Sequence, residues 1–78
     1  MIYSPQQLAH LIRLERQKRG WTQSDLARRG GIKQATVSNF ENNPDKTTLT
    51  TLFKILQSLE QELVIQSKST QSGKELEW

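Results

Sequence analysis

Cysteine is absent from this chain and histidine occurs once, as His10. With no thiol and one imidazole, disulfide bridges and the common Cys/His zinc spacings are excluded, and no metal site is expected. Long hydrophobic runs are missing too. None approaches the roughly 20 apolar residues that a membrane-spanning helix requires, and the N-terminal segment lacks the basic-then-apolar order of a secretory signal. A cytoplasmic location is the expectation. There is no phosphate-cradling glycine motif and no carboxylate pair at a spacing that predicts an acid–base dyad. His10 sits one residue from the apolar stripe of its helix, an ordinary place for a surface histidine. The chain is therefore not expected to be an enzyme or to carry a cofactor.

What is present is small and basic. At 78 residues the chain makes one domain, whose core contributes only a few kcal/mol, so oligomerisation is the expected source of further stability. The net charge of +3 is unevenly placed. Nine Lys/Arg stand against four Asp/Glu up to Leu59, whereas from Glu60 onward two Lys stand against four Glu. A basic front with a mildly acidic tail fits a nucleic-acid reader whose appendage faces something else.

The stretch Gln23 to Asn42, QSDLARRGGIKQATVSNFEN, carries the strongest pattern. A helix-turn-helix needs a small residue where its helices cross, a glycine where the backbone turns and an aliphatic residue that pins the second helix to the first. Ala27, Gly31 and Val37 supply these in order, four and six residues apart. The second helix of such a pair is presented to the DNA major groove.

Caps and periodicity predict four helices. Ser4-Pro5-Gln6-Gln7 reads as a capping box with proline at the first helical position. Leu8, Leu11 and Ile12 then form an apolar stripe, and Gly20 ends the helix. Thr22 caps the second helix with Asp25 as box partner, and Gly30-Gly31 stops it. The third runs from about Lys33 to Phe40, with Val37 and Phe40 inward. Asn42-Asn43-Pro44-Asp45 is a dense turn signal. Thr48 caps the fourth helix, whose Leu49, Leu52, Phe53, Leu56 and Leu59 form the stripe that closes the core.

Beyond Glu60 the pattern changes. Leu63-Val64-Ile65 is a short apolar run, β-branched at two positions and bounded by polar residues, that predicts a strand. An isolated strand of this length needs a partner, and a second copy of the chain supplies one as a twofold intersubunit ribbon. The remainder, SKSTQSGKELEW, is expected to be a flexible polar tail with an apolar hook, Leu76 and Trp78, at its end. The expected organisation is a helix-turn-helix domain over residues 1–60, a dimerisation strand over 61–67 and a tail over 68–78.

The segment TQSDLARRGGIKQATVSNFENNP resembles the Xre/Cro helix-turn-helix class, that of the lambdoid phage repressors. GWTQSDLA, GIKQATVSNFENNPD, TTLTTLFKILQSLE and the terminal LEW together resemble the HipB-type antitoxins of HipA-HipB modules over nearly the whole chain. The resemblance implies an all-α, lambda-repressor-like fold. It also implies a homodimer that represses its own operon and binds and neutralises a HipA-type Ser/Thr kinase. Two positions depart from the class pattern. Gly30 stands where an aliphatic residue is usual, predicting a lost core contact and a frayed helix end, and Glu15 falls where the apolar period extrapolates.

The first turn of a recognition helix lies deepest in the groove, which selects Lys33, Gln34, Ala35 and Thr36 as base-reading candidates, with Ser38 and Asn39 one turn on. Gln34 matches an adenine edge, Lys33 a guanine edge, and Ala35 or the Thr36 methyl a thymine methyl. Gln23 and Ser24 open the second helix, whose N-terminus favours a phosphate; the phage-repressor resemblance implies the same for Gln23. Lys18, Arg19, Asn43, Lys46 and Thr47 lie in flanking segments within reach of the same backbone. The resemblance further implies that Arg16 and Glu41 form a structural ion pair. Two neighbouring readings stay open on the sequence: a stand-alone Xre-type regulator without a toxin, and an adaptor that keeps the fold without binding DNA.

Overall fold

A computed structural model describes residues 1–68. Four α-helices form among them: α1 (Pro5–Lys18), α2 (Gln23–Gly30), α3 (Gln34–Asn42) and α4 (Leu49–Ser58), with a 3-10 turn at Pro44–Lys46 between the last two. Three of the helices start on a side-chain cap, which satisfies one of the amide N–H groups that a helix start leaves unpaired. Ser4 Oγ accepts from Gln7 N, Thr22 Oγ1 from Asp25 N and Thr48 Oγ1 from Thr51 N. At α2 the box is reciprocal, with Thr22 N donating to Asp25 Oδ2 at 2.9 Å. Gln7 reaches one residue further back than expected, accepting from Tyr3 N.

Gly20 and Gly31 lie in the left-handed region, at φ +75 and +68. There the chain closes each helix by returning Trp21 N to Arg16 O at 3.1 Å and Ile32 N to Ala27 O at 3.0 Å, the hydrogen-bonded reversal that glycine accepts without a Cβ penalty. The second reversal sets α2 against α3. Ala27 and Val37 are buried at that crossing, as the motif predicts.

The core is Ala9, Ile12, Leu26, Ala27, Val37, Phe40, Ile55, Leu56 and Leu59. Two stripes differ from expectation. On α1 the buried line is Ala9, Ile12 and Arg16, while Leu11 is half exposed. The helix is rotated by about one position because Arg16 turns inward to a carboxylate, and this explains Glu15. That residue lies at the rim of the core face and pairs with Arg19 at 3.5 Å. On α4, Ile55 is fully buried, whereas Leu49 is 70% exposed and Phe53 44%. Leu52, Ile55, Leu56 and Leu59 share one helical face, and Leu49 and Phe53 flank it.

The expected defect at Gly30 is absent. Gly30 is the last residue of α2, and a Cβ there would lie 2.6 Å from Ser58 Oγ and 3.4 Å from Lys54 O. The missing side chain lets α2 and α4 approach closely. The third helix runs two residues beyond Phe40, with Lys33 at its N-cap and no side-chain cap bond. Residues 61–67 take no regular structure, and Leu63-Val64-Ile65 has no strand partner among the described residues. Leu76 and Trp78 lie outside them.

Candidate nucleic-acid interface

One face of α3 packs and the other is free. Val37, Phe40 and Glu41 point into the domain, spaced three and one residues apart as a helix face requires. Lys33, Gln34, Ala35 and Asn39 are exposed, and Thr36 and Ser38 are half-buried. The first turn of α3 thus offers its side chains to solvent, the arrangement by which a recognition helix enters a major groove.

Behind this turn runs a chain of hydrogen bonds that starts in the interior. Arg16 donates to both oxygens of Glu41, Nε to Oε2 at 2.7 Å and Nη2 to Oε1 at 3.0 Å, and its Nη1 donates to Trp21 O at 2.8 Å. The Glu41 side chain is 1% exposed. Burial pushes its carboxyl up, but hydrogen bonds from Arg16 and Gln23 and the charges of Arg16 and Arg13 outweigh it, and the group ends below the ordinary glutamate value. From Glu41 the chain continues outward. Gln23 Nε2 donates to Glu41 Oε1 at 3.0 Å, and Gln34 Nε2 donates to Gln23 Oε1 at 2.8 Å. The implied scaffold pair is therefore in contact with one candidate DNA residue, Gln23, and through it linked to a second, Gln34.

A second grouping runs along α3 from Thr36 into the segment that follows the helix. Thr36, Asn39, Asn43, Lys46 and Thr47 line one open polar recess of about 370 Å³ together with Thr48 and Thr51. It unites two base-reading candidates with three of the phosphate candidates. Ser38 accepts from Asn42 Nδ2 at 3.2 Å. Lys18 and Arg19 stand apart from both groupings. Lys18 Nζ is 4.0 Å from Glu15, and Arg19 is engaged by Glu15, by Leu59 O at 2.7 Å and by the ring of Trp21.

Sequence reasoning missed Arg13, whose Nε lies 3.7 Å from Glu41 Oε1. Its signal is the three-residue spacing from Arg16 on α1. It also missed Trp21, which packs against the core and carries the Arg29 guanidinium 4.0 Å from its ring centroid, a cation–π contact that no local pattern announces.

The helix-turn-helix family model HTH_3 matches residues 12–64. Antitoxin HipB of Escherichia coli K12 is 58% identical, over 99% of this chain and 93% of that protein. The chain is a helix-turn-helix protein of the HipB family. Its backbone is also that of solved HipB-family structures. A chain in the structure of a HipA-HipB-O2-O3 complex superposes with a TM-score of 0.85 at 64% identity, covering 88% of this chain and 97% of that one. A chain in a HipB-O4 20mer complex gives the same TM-score, identity and coverage. The HipB-family match extends over every helix described above, including the α2–α3 pair and α4.

Proposed function

We propose that this chain is the DNA-binding antitoxin of a HipA-type toxin-antitoxin module. It acts as a homodimer on an inverted repeat in duplex operator DNA, represses its own operon and neutralises a HipA-type Ser/Thr kinase. The observation that carries this reading is the exposed first turn of α3, with Gln34 tied through Gln23 to the interior, in a chain of the HipB family. Lys33, Gln34, Ala35 and Thr36, with Ser38 and Asn39, read base edges. Gln23, Ser24, Asn43, Lys46 and Thr47 grip phosphates, with Lys18 and Arg19 on the flank.

Twofold symmetry of the protein matches that of the operator, and places the two recognition helices in successive major grooves about 34 Å apart. Residues 61–67 form the dimer ribbon. Leu63, Val64 and Ile65 are 52%, 68% and 90% exposed in the single chain, an apolar row that pairing with a second copy covers. Residues 1–60 are the DNA-binding domain and 68–78 a tail, whose Leu76 and Trp78 serve either contact with the kinase, as buried aromatic anchors do, or turnover of the protein. Action on operator DNA places the protein in the cytoplasm at the nucleoid, and no described helix is long and apolar enough to cross a membrane. Its role is binding, with no chemistry of its own.

The test compares two substitutions on duplexes selected by the protein from a randomised pool. Gln34→Ala loses about 1 to 3 kcal/mol and relaxes preference at one base pair, whereas Lys46→Ala weakens all sequences alike and flattens the salt dependence. Equal, uniform losses in both variants refute the base-reading role. Failure of a HipA-type kinase to co-purify with the protein refutes the antitoxin role and leaves a stand-alone regulator.

A further inference from the structure

We propose that Glu41 sets which base Gln34 accepts, acting as a positioning residue at the inner end of the Glu41–Gln23–Gln34 relay. The inference rests on the reading of Gln34 as a base-contacting residue and extends it to the origin of its preference. A glutamine amide presents a carbonyl oxygen on one side and an NH2 on the other, and on a solvated surface the two interchange by rotation. An ionised carboxylate only accepts. Glu41 is buried and takes both its charge-assisted bonds from Arg16, so the one atom of Gln23 that fits against its Oε1 is the nitrogen, found there at 3.0 Å. The reversed amide sets oxygen against carboxylate.

Polarity then propagates outward. With its nitrogen turned inward, Gln23 offers only its oxygen to α3, and Gln34 meets it with Nε2 at 2.8 Å. One of the two amide hydrogens of Gln34 is consumed. What remains facing outward is one N–H donor beside one carbonyl acceptor. Adenine presents an acceptor at N7 and a donor at N6 in the major groove, which this pair fits; guanine presents two acceptors, N7 and O6. A Gln34 released from Gln23 regains its second N–H and its freedom to turn, and tolerates guanine better. The Gln23–Gln34 bond is exposed and is weak as an orienting device by itself. Its direction is fixed because the other end of Gln23 is held by a buried charge.

The experiment selects the preferred half-site from a duplex pool with a randomised centre. It then measures equilibrium binding to duplexes carrying A·T or G·C at each half-site position, with helical circular dichroism as the check on folding. Gln34→Ala identifies the position that Gln34 reads. There the wild-type protein prefers A·T by roughly 5- to 150-fold, the range of one bidentate side-chain contact. Glu41→Gln removes the polarity with little change of shape. Because it strands the Arg16 charge, two further variants are measured. Arg16→Met/Glu41→Leu removes both charges together, and Gln23→Leu cuts the relay at its middle while both bonds from Arg16 to Glu41 stay in place. Each folded relay variant lowers the A·T over G·C ratio at that one position by about fivefold or more and leaves other positions unchanged. A purely structural role lowers affinity for all duplexes together and leaves the ratio alone. A folded Glu41 variant with the wild-type ratio overturns the relay, also where Gln23→Leu relaxes it. Loss of no base preference in Gln34→Ala overturns the base-reading role and the relay with it.

Discussion

Gly30 and Gly31 are neighbours with opposite reasons to be glycine, and alanine substitutions separate them. At Gly31 there is room, since an added Cβ meets nothing within 4 Å, but φ is +68. The whole cost is backbone strain, about 1 to 2 kcal/mol for an L-residue in the left-handed region, partly offset by the lower unfolded-state entropy of alanine. A net loss of about 1 kcal/mol is expected, which in a domain of this size lowers Tm by roughly 4 to 8 °C. Gly31→Asn loses less, because asparagine adopts this region more readily. At Gly30 the backbone is helical and the space is missing: the new Cβ lies 2.6 Å from Ser58 Oγ. That hydroxyl donates to Lys54 O at 2.8 Å. Moving it aside forfeits a bond with a net value of about 1 kcal/mol, similar to the helix propensity gained by replacing glycine with alanine. Gly30→Ala alone is therefore close to neutral. In a Ser58→Ala background the obstruction is gone, and the same change stabilises by up to about 1 kcal/mol. Urea and thermal unfolding of the four-member cycle measures the coupling. Additive effects at 30 and 58 refute the steric account, and a Gly31→Ala protein as stable as wild type refutes the strain account.

Stability also falls in acid. The folded-state value of Glu41 is depressed below its ordinary 4.5, so its contribution is complete above that pH and is lost as pH falls through the depressed value. Tm should be flat from neutrality to about pH 5 and decline below pH 4.5, and an identical decline in Arg16→Met/Glu41→Leu assigns it elsewhere. Val64→Pro removes a ladder donor and should move the sedimentation equilibrium toward monomer without loss of helix; an unchanged dimer constant excludes the ribbon. Lys33→Ser supplies the side-chain cap that α3 lacks, raising stability by about 1 kcal/mol while weakening duplex binding. Stability gained at no cost in affinity removes Lys33 from the interface.

Local chemistry made much of this fold legible. Caps at Ser4, Thr22 and Thr48 and the left-handed glycines at 20 and 31 are interactions within a few residues, so their residue types reveal them. Tertiary choices were less visible. Periodicity makes Leu11 and Phe53 as good core candidates as Ala9 and Ile55, and the decision belongs to an arginine that turns inward and a helix that approaches α2 closely. Gly30 illustrates the limit, because its partner Ser58 lies 28 residues away and nothing beside Gly30 mentions it. At the interface, the exposed turn from Lys33 to Thr36 follows from the motif. The bonds from Gln23 to Gln34 and to Glu41 need the crossing geometry of α2 and α3, and those from Arg16 to Glu41 need a third helix, α1.

The places where this chain breaks local rules gather around α3. It is the one helix of the four described that starts without a side-chain cap, with lysine where Ser, Thr, Asp or Asn is favoured. It also contributes a carboxylate to the interior, where an apolar residue of similar size avoids the desolvation penalty. In a domain whose total stability is a few kcal/mol, each is a sizeable concession. Neither is compensated within α3, because the free N-cap leaves its first turn open to solvent and the buried charge spends its remaining acceptor on Gln23. Stability is recovered elsewhere, in the reciprocal box of α2, the two glycine reversals and the fully buried Leu26, Ile55 and Leu59. Natural sequences depart from local consistency mainly at functional sites. The two departures fall at opposite ends of one short helix, the free N-cap at Lys33 and the buried carboxylate at Glu41, and their concentration there supports the proposed role of α3 on grounds independent of the family.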